Sequence, residues 1–393
     1  MHRHICGLLF SCLIAVSSRA FEYDAEADIG LVPESVTAAV ANRERLNDAL
    51  NAQWRGGQFK FANGSIGPVL HPIRAAAKEF FFAGTIETPV RIGGALRGFG
   101  SRGYPIVSAH YNPPGGVQGG AVTRFTRIDG DNGGAIVRLR GAGFTLEGIE
   151  FRGRPYVKDD GSGMEPPTGT PTPVGIEVEG RIGLSTGKHI VRDCVISGCQ
   201  AGICARAGYY RDGTFVPDEN HADLGVVENV WFWACGSCFR SENQQAVPWN
   251  FRNIMVSGRD DTTVFDVVRG GNLVCDGLYV GHRKVTLFKV RDYSPNDNRL
   301  VCENIQWDHG SGKDTYFTLF QYDGQFSPPP KWLRWSVRVT GHFSNENATF
   351  DTSKLVVVPK QMPVDDLLFD IAFLPAGDFV RVGEGPWMRP KPR

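Results

Sequence analysis

The sequence predicts an all-β fold, namely a right-handed parallel β-helix (a solenoid) with an N-terminal capping helix and a C-terminal β cap. Three observations predict it: a short motif that recurs along the chain, the spacing of its copies, and a second apolar column between them. The motif reads GVVENVWFW, NFRNIMVSG, LVCDGLYVG and LVCENIQWD between Gly225 and Gly310, and FTLEGIEFRG and HIVRDCVISG are two more distant copies.

Each copy of the motif is centred on an apolar residue that serves as a reference. These reference residues are Ile149, Cys194, Val230, Ile254, Leu278 and Ile305. The residue before each of them is Gly, Asp or Asn, which can take left-handed geometry or bond its own backbone. Each copy is therefore predicted to be a strand, a bend and a second strand. The reference residues are 45, 36, 24, 24 and 27 positions apart, and a period in the twenties is typical of a solenoid.

A second set of apolar positions lies between the motifs, and most of its members are followed two positions later by another apolar residue. They are Val137, Ile176, Ile203, Phe239, Phe265, Phe288 and Phe320. A period of two indicates strands with one face inward. We expect the phenylalanines of successive coils to stack inside the fold. The outward residues Arg240, Asp266 and Lys289 alternate in charge and predict an ion ladder on the surface.

Residues 1–20 read as a secretory signal, with Arg3 before an apolar run and small residues before a cut at Phe21. We therefore expect a secreted or periplasmic protein. Residues 21–78 form an N-terminal segment with the capping helix, 79–324 the parallel β-helix, and 325–393 a C-terminal cap and tail. The helix is predicted from apolar residues at helical spacing between Val36 and Trp54, including Val40, Leu46 and Leu50. It would cover the open end of the solenoid.

Composition narrows the class of partner. The 393 residues carry 42 basic and 42 acidic side chains, which favours neither a nucleic acid nor a membrane surface. No segment after the signal is apolar for long enough to span a membrane. Seven of the nine cysteines follow the signal, and Cys275 and Cys302 would lie one coil apart, within disulfide distance. The sequence leaves the pairing and the oligomeric state open.

The chain from Thr37 to Gly324 resembles the pectin-lyase-like β-helices of secreted polysaccharide-active proteins. The resemblance covers the leading helix with Asn42, Leu46, Ala49 and Leu50, the line GTIETPVRIGGALRGFG, and the pair TRIDGDNGGAIVRLRGAGFTLEGIEFRG. It implies the fold and a polysaccharide partner. The activity stays open, because this architecture carries lyases, hydrolases, epimerases and non-catalytic binders.

The candidate site is the bend that follows each motif. In successive coils this bend reads GRDD (258–261), GHRK (281–284) and DHGSGK (308–313). Since coils stack about 4.8 Å apart, these residues are predicted to form one column. We predict that its catalytic residues are Asp260, Asp261 and His282. The predicted substrate-binding residues are Arg259, Arg283, Lys284 and His309 in the column, with Tyr209 and Tyr210 on the long loop from Ala207 to Leu224.

The spacing of Asp260 and Asp261 from Gly281 and His282 is similar to that in the polygalacturonase-type hydrolases, which carry Asp-Asp at such a bend and Gly-His-Gly one coil later. Here the second element is Gly-His-Arg, Cys235-Gly236-Ser237 stands where that family has Asn-Thr-Asp, and no Arg-Ile-Lys follows. The resemblance implies acid and base roles for the two aspartates, with one acid of that family's three missing.

Two reactions and one binding role fit this column. Hydrolysis needs a carboxylic acid and a carboxylate that activates water, which Asp260 and Asp261 would supply with His282 tuning the acid. Elimination needs a cation on the uronate carboxylate and a base for the C5 proton, roles open to Arg259, Arg283 and Lys284. No cofactor is certain, but a lyase would use Ca²⁺, with Asp260, Asp261 or Asp308 as ligands. The alternative is a non-catalytic β-helix that binds glycans or serves as an extracellular structural or adhesion module.

Overall fold

The computed structural model describes residues 21–53, 57–90, 93–99, 122–129, 134–153, 172–181, 187–218, 222–292, 299–308, 315–323, 336–343, 355–358, 367–372, 380–382 and 387–388. This part of the chain is all-β apart from one N-terminal helix that follows a short 3₁₀ turn. The predicted signal, Trp54 and His309 lie outside the described residues. None of the described helices is long and apolar enough to cross a membrane.

Thirty strands make up the described β structure. Those before residue 100 are β1 Tyr23–Asp24, β2 Phe59–Lys60, β3 Ile66–Gly67, β4 Ile73–Arg74, β5 Glu79–Phe82, β6 Ile86–Glu87 and β7 Ala95–Arg97. The next ten are β8 Thr123–Arg127, β9 Ala135–Leu139, β10 Thr145–Glu147, β11 Ile149–Arg152, β12 Thr172–Val178, β13 Ile190–Arg192, β14 Val195–Ser197, β15 Cys199–Ala205, β16 Gly208–Arg211 and β17 Thr214–Pro217. The last thirteen are β18 Gly225–Trp233, β19 Ser237–Ser241, β20 Trp249–Ser257, β21 Thr262–Val267, β22 Leu273–Val280, β23 Lys284–Val290, β24 Arg299–Trp307, β25 Tyr316–Tyr322, β26 Ser336–Phe343, β27 Val356–Val358, β28 Leu367–Ala372, β29 Val380–Val382 and β30 Trp387–Met388.

Most strands belong to two long sheets between which the chain alternates. The first sheet runs β1-β4-β7-β10-β13-β18-β20-β22-β24-β26-β28, with β5, β8, β11 and β14 as a parallel branch that joins at β18. The second sheet runs β6-β9-β12-β15-β19-β21-β23-β25-β27-β29-β30. The neighbours are parallel except at β29 and β30. Both sheets continue past the predicted boundary at residue 324, because β26 pairs with β24 and β27 pairs with β25.

The register between strands is the one that the motif predicts. In the first sheet Val230 is paired with Ile254, Ile254 with Leu278, and Leu278 with Ile305. In the second sheet Phe239, Phe265, Phe288 and Phe320 follow one another in the same way. Each layer, meaning one strand of the first sheet and the next strand of the second, therefore repeats the layer before it.

Aromatic packing between the two sheets differs in part from a simple stack. Phe265 and Phe288 are stacked as predicted, with ring centroids 5.3 Å apart and planes at 22°. Phe251 of the first sheet, however, contacts Phe239 and Phe265 edge-on, at 5.1 and 5.0 Å. All four rings are buried, and each buried ring contributes roughly 1.5–3 kcal/mol of transfer free energy. The core is therefore shared by both sheets.

The left-handed bends are also confirmed. The φ angles of Asp193, Asn229, Asn253 and Asn304 lie between 51° and 58°, and Gly148 and Gly277 occupy the same position at 69° and 80°. The side chains form a ladder, in which the Asn253 amide donates to Asn229 and the Asn229 amide donates to Asp193, both at 3.1 Å. Asn and Asp tolerate this conformation, whereas other side chains clash with the following carbonyl.

The N-terminal helix is α1, Ala39–Asn51, and its buried face was predicted only in part. Leu46 and Leu50 are buried, but Val36 and Val40 are 55% and 52% exposed. The buried face instead includes Asn42, whose amide bonds Val32 through both N–H and C=O and donates to Phe81 O at 3.2 Å. These bonds join the helix to β5 and fix its rotation with the two valines outward.

The outward ion ladder on the second sheet is present between Arg240 and Asp266, whereas Lys289 pairs with a carboxylate outside the predicted set. Arg240 lies 3.6 Å from Asp266, Asp266 also pairs with Arg291 at 3.1 Å, and Lys289 pairs with Asp323 at 3.0 Å. The seven cysteines from Cys194 to Cys302 are all buried free thiols. Cys275 and Cys302 are register partners, as the spacing predicted.

Replacing Asn253 tests the bend. Asn253→Ala should lower the unfolding free energy by about 1–2 kcal/mol, because alanine is strained in left-handed geometry and because the hydrogen bond to Asn229 is lost. Asn253→Gly is the matched control, since it loses the same bond without the backbone cost. Urea titration of both variants should find the glycine variant the more stable one. Equal losses would contradict the backbone explanation and attribute the effect to the ladder.

Candidate functional site

The bends after β20, β22 and β24 lie above one another at one edge of the sheets. Thr262 is the register partner of Val285, and Val285 is the partner of Phe317. The residues immediately before them, Asp261, Lys284 and Tyr316, therefore occupy equivalent places in three successive layers. We call residues 258–261, 281–284, Asp308 and Tyr316 the bend column. The bend from 309 to 314, with His309, lies outside the described residues.

Asp260 and His282 come together in the bend column as predicted. His282 Nδ1 lies 3.4 Å from Asp260 Oδ1, and His282 Nε2 accepts a hydrogen bond from the backbone N–H of Gly258. The neutral ring must therefore carry its proton on Nδ1, facing Asp260. Burial lowers the pKa of His282 and Arg283 lowers it further, against the opposing effect of Asp260. Both ring nitrogens are thus committed, and His282 orients Asp260 instead of acting as a free base.

Asp261 has a partner that sequence reasoning missed. The Tyr316 hydroxyl donates to Asp261 Oδ1 at 2.7 Å, and Asp261 itself is left-handed with φ 61°. Burial and the bond to Asp261 both raise the pKa of the Tyr316 phenol. The phenol therefore keeps its proton and is a proton donor beside a carboxylate. The usable signal was the register, because Tyr316 precedes Phe317 as Lys284 precedes Val285.

Three cations of the bend column have no ion pair in the described part of the chain: Arg259, Arg283 and Lys284. Arg259 and Arg283 are exposed and Lys284 is half-buried. The arginines on the outer face of the second sheet differ, because they form ion pairs with carboxylates. Arg206, for example, pairs with Glu177 and Glu242 at 2.8 and 2.9 Å. The bend column therefore presents three cations and three carboxylates, Asp260, Asp261 and Asp308, that make no direct ion pair with one another in the described part of the chain.

Asp308 lies in the same column but has a hydrogen-bond partner outside it. Its Oδ2 accepts a hydrogen bond from the Tyr279 hydroxyl at 3.1 Å. Among the described residues no three His, Cys, Asp or Glu side chains are grouped as metal ligands. Asp260, Asp261 and Asp308 thus do not converge into a Ca²⁺ site in this part of the chain.

Tyr209 and Tyr210 do not belong to the bend column. They lie on the hairpin of β16 and β17, which folds onto the outer face of the second sheet. Tyr209 is buried with Arg181 and Arg211 at 4.4 and 5.6 Å from its ring centroid. The Tyr210 ring lies 3.8 Å from the Arg138 guanidinium. Tyr209 is therefore closed off by burial, whereas Tyr210 is half-buried and its predicted role in substrate binding stays a prediction.

The hairpin covers a buried group of charges. Glu177 and Glu179 have fully buried side chains, and Arg138 Nε lies 2.6 Å from Glu177 and 3.8 Å from Glu179. The Tyr210 backbone N–H donates to Glu179 Oε1 at 3.0 Å. Burial raises the pKa of Glu179 to about 6, despite the opposing bond from Tyr210 and the charges of Arg140 and Arg138. Removal from water therefore outweighs these partners for this carboxyl.

No protein-family model, curated protein or solved structure matches this chain. The functional interpretation consequently depends on the geometry of the bend column.

Glu179→Gln tests the buried carboxyl. The folded pKa of Glu179, about 6, is above its unfolded value, so its contribution favours folding below about pH 4.5 and is lost as pH rises through 6. The glutamine should therefore raise the unfolding free energy at pH 7.5 by about 2 kcal/mol, at about 1.4 kcal/mol per pKa unit, and by little at pH 4.5. The matched control Glu177→Gln loses two close ion pairs and should destabilise at both pH values. A Glu179→Gln effect independent of pH would contradict this explanation.

Proposed function

We propose that this chain is a right-handed parallel β-helix of the pectin-lyase-like kind, secreted or periplasmic, and that it cleaves an acidic polysaccharide at the bend column. The alternation of the chain between two parallel sheets, with each layer in register with the last, supports the β-helix. In this interpretation α1 caps the N-terminal end, where its Asn42 bonds β5.

The unpaired cations Arg259, Arg283 and Lys284 carry the proposal of an acidic substrate. Exposed cations at the surface of a protein of balanced charge attract a polyanion locally. They lie in the same two bends as Asp260, Asp261 and His282, so a uronate bound by the cations has carboxylates beside it. A polymer along the column would meet one bend per layer.

The hydrogen bonds favour elimination over hydrolysis. Asp260 and Asp261 both act as acceptors, from His282 and Tyr316, so neither is placed as the protonated acid that inverting hydrolysis needs. In elimination a cation neutralises the uronate carboxylate and Asp260 takes the C5 proton. The electrons of that C–H bond form the C4–C5 double bond, and the C4–O bond breaks. The leaving oxygen takes the proton of the Tyr316 phenol. Asp260 then releases the C5 proton to solvent, and the phenolate takes a proton back from solvent.

A second candidate is a non-catalytic glycan-binding or structural module. The observation that favours it is that both aspartates already have internal donors, as members of a structural ladder would. In this alternative the cations bind the polymer and nothing is cleaved.

A substrate panel tests the function. We expect the chain from Phe21 onward to release unsaturated uronates, seen by ultraviolet absorbance together with new reducing ends, from a pectic or alginate-like polymer and not from a neutral one. Parallel assays with and without Ca²⁺ test whether cleavage requires the ion.

The double change Arg283→Ala and Lys284→Ala should lower kcat/KM on the acidic polymer by at least about tenfold, if each lost cation removes about 1 kcal/mol of binding. Arg252→Ala, an exposed cation on the first sheet, is the matched control and should leave activity unchanged. Reducing ends without absorbance would mean hydrolysis, and binding without either signal would mean the glycan-binding module.

Tyr316→Phe tests the proton donor. The change removes only the hydroxyl that bonds Asp261, so turnover should fall about 100-fold, within the range for loss of a general acid, with KM nearly unchanged. Tyr322→Phe, at the other end of β25, is the matched control and should keep its activity. Unaltered turnover in Tyr316→Phe would remove the phenol from the mechanism.

A further inference from the structure

A polar cleft of about 350 Å³ lies at the N-terminal end of the fold, between the second half of α1 and the start of β2. Arg45, Asp48 and Asn51 line it from the helix, and Gln58, Phe59 and Lys60 line it from the other side. Its volume is at the lower end of the range of small-ligand sites. The bend column is several layers further along the sheets, at about 4.8 Å per layer, so the two places are separate.

Arg45 is held so that its charge faces the cleft. Its Nε donates to Ile29 O at 2.5 Å, and its guanidinium lies 5.8 Å from the centroid of the buried Phe59 ring. Neither contact neutralises the charge, and no ion pair involves Arg45 in the described part of the chain. The terminal N–H groups of the guanidinium make no hydrogen bond in the described part of the chain.

The other charged side chains of the cleft also have no ion pair in the described part of the chain. Asp48 follows Arg45 by one turn of the helix and Lys60 lies across the cleft, both exposed, and among the described residues neither makes an ion pair. Other cations at this end do pair with carboxylates. These pairs are Arg43 with Glu44, Arg74 with Glu22, and Lys78 with Glu26.

The backbone comes close to the helix at one end of the cleft. A Cβ on Gly57 would lie 2.7 Å from Ala52 Cα, so only glycine fits beside the end of the helix.

We infer that this cleft is a second saccharide site, which binds a uronic acid unit. Arg45 and Lys60 suit the sugar carboxylate, while Asp48 and the amides of Asn51 and Gln58 suit hydroxyl groups. Arg45, Lys60 and Asp48 sum to a charge of plus one, which matches one carboxylate better than a phosphate group of nearly two negative charges. An apolar ligand would leave these polar groups unpaired. If the chain cleaves an acidic polysaccharide, on which this last step rests, the site would hold a second part of the polymer, away from the place of cleavage.

Calorimetric titration with a uronic acid trisaccharide tests this inference. The protein is the chain from Phe21 onward with Arg283→Ala and Lys284→Ala, which weakens binding at the bend column at least about tenfold. Binding should persist in this background, and adding Lys60→Ala with Asp48→Ala should weaken it at least tenfold. Both side chains are exposed, and unchanged thermal unfolding confirms the fold. The neutral trisaccharide with reduced carboxyl groups should bind at least tenfold more weakly.

Loss of all binding in the Arg283→Ala and Lys284→Ala background would overturn the inference, as would binding that the cleft changes leave intact. Equal binding of the neutral trisaccharide would overturn the uronate specificity. The outcome is independent of turnover, so failure of the proposed cleavage and failure of the cleft are distinguishable.

Discussion

The register between parallel strands is the constraint on which the rest of this structure depends. Because each strand is hydrogen-bonded to its counterpart in the next layer, every layer must bend at the same place and by the same amount. Asn229, Asn253 and Asn304 meet this demand with left-handed backbone geometry, and glycine meets it at Gly277. The inward side chains then fall into columns, and the core forms by repetition instead of by long-range matching of unlike elements.

The same repetition determines the surface. Outward side chains also fall into columns, so their charges meet at strand spacing whether or not they have a role. On the second sheet the columns contain both signs in alternation, as with Arg240 and Asp266 at 3.6 Å, and the charges neutralise one another. At the bends the order differs: Lys284 stands between Asp261 and Tyr316, and Arg283 follows His282. Cations without an ion pair therefore remain at one edge, next to carboxylates that accept hydrogen bonds from internal donors.

Sequence reasoning reached the parts of the structure that repeat and missed those that do not. The columns of Val230 and Phe239, the bends and the meeting of Asp260 with His282 could be predicted, because a fixed period carries the information. Tyr316 was missed because the bend before it is longer than the two preceding bends, which hides its equivalence to Lys284. Val36 and Val40 face outward because of the hydrogen bond from Asn42 to β5. The periodicity of apolar residues cannot predict that bond. The sequence predicts a long loop around Tyr209, whereas the structure has the hairpin of β16 and β17 there, in which Tyr209 is buried.

The burial of the seven thiols lowers their reactivity toward reagents in the surrounding solution. Burial raises the pKa of the Cys194 thiol to about 12, and it raises those of Cys238 and Cys302 well above the ordinary value. Since the thiolate is the species that attacks oxidants and disulfides, these groups are inert while the layers stay closed. Each cysteine therefore reports whether its own layer has opened, since only an opened layer exposes its sulfur to an alkylating reagent.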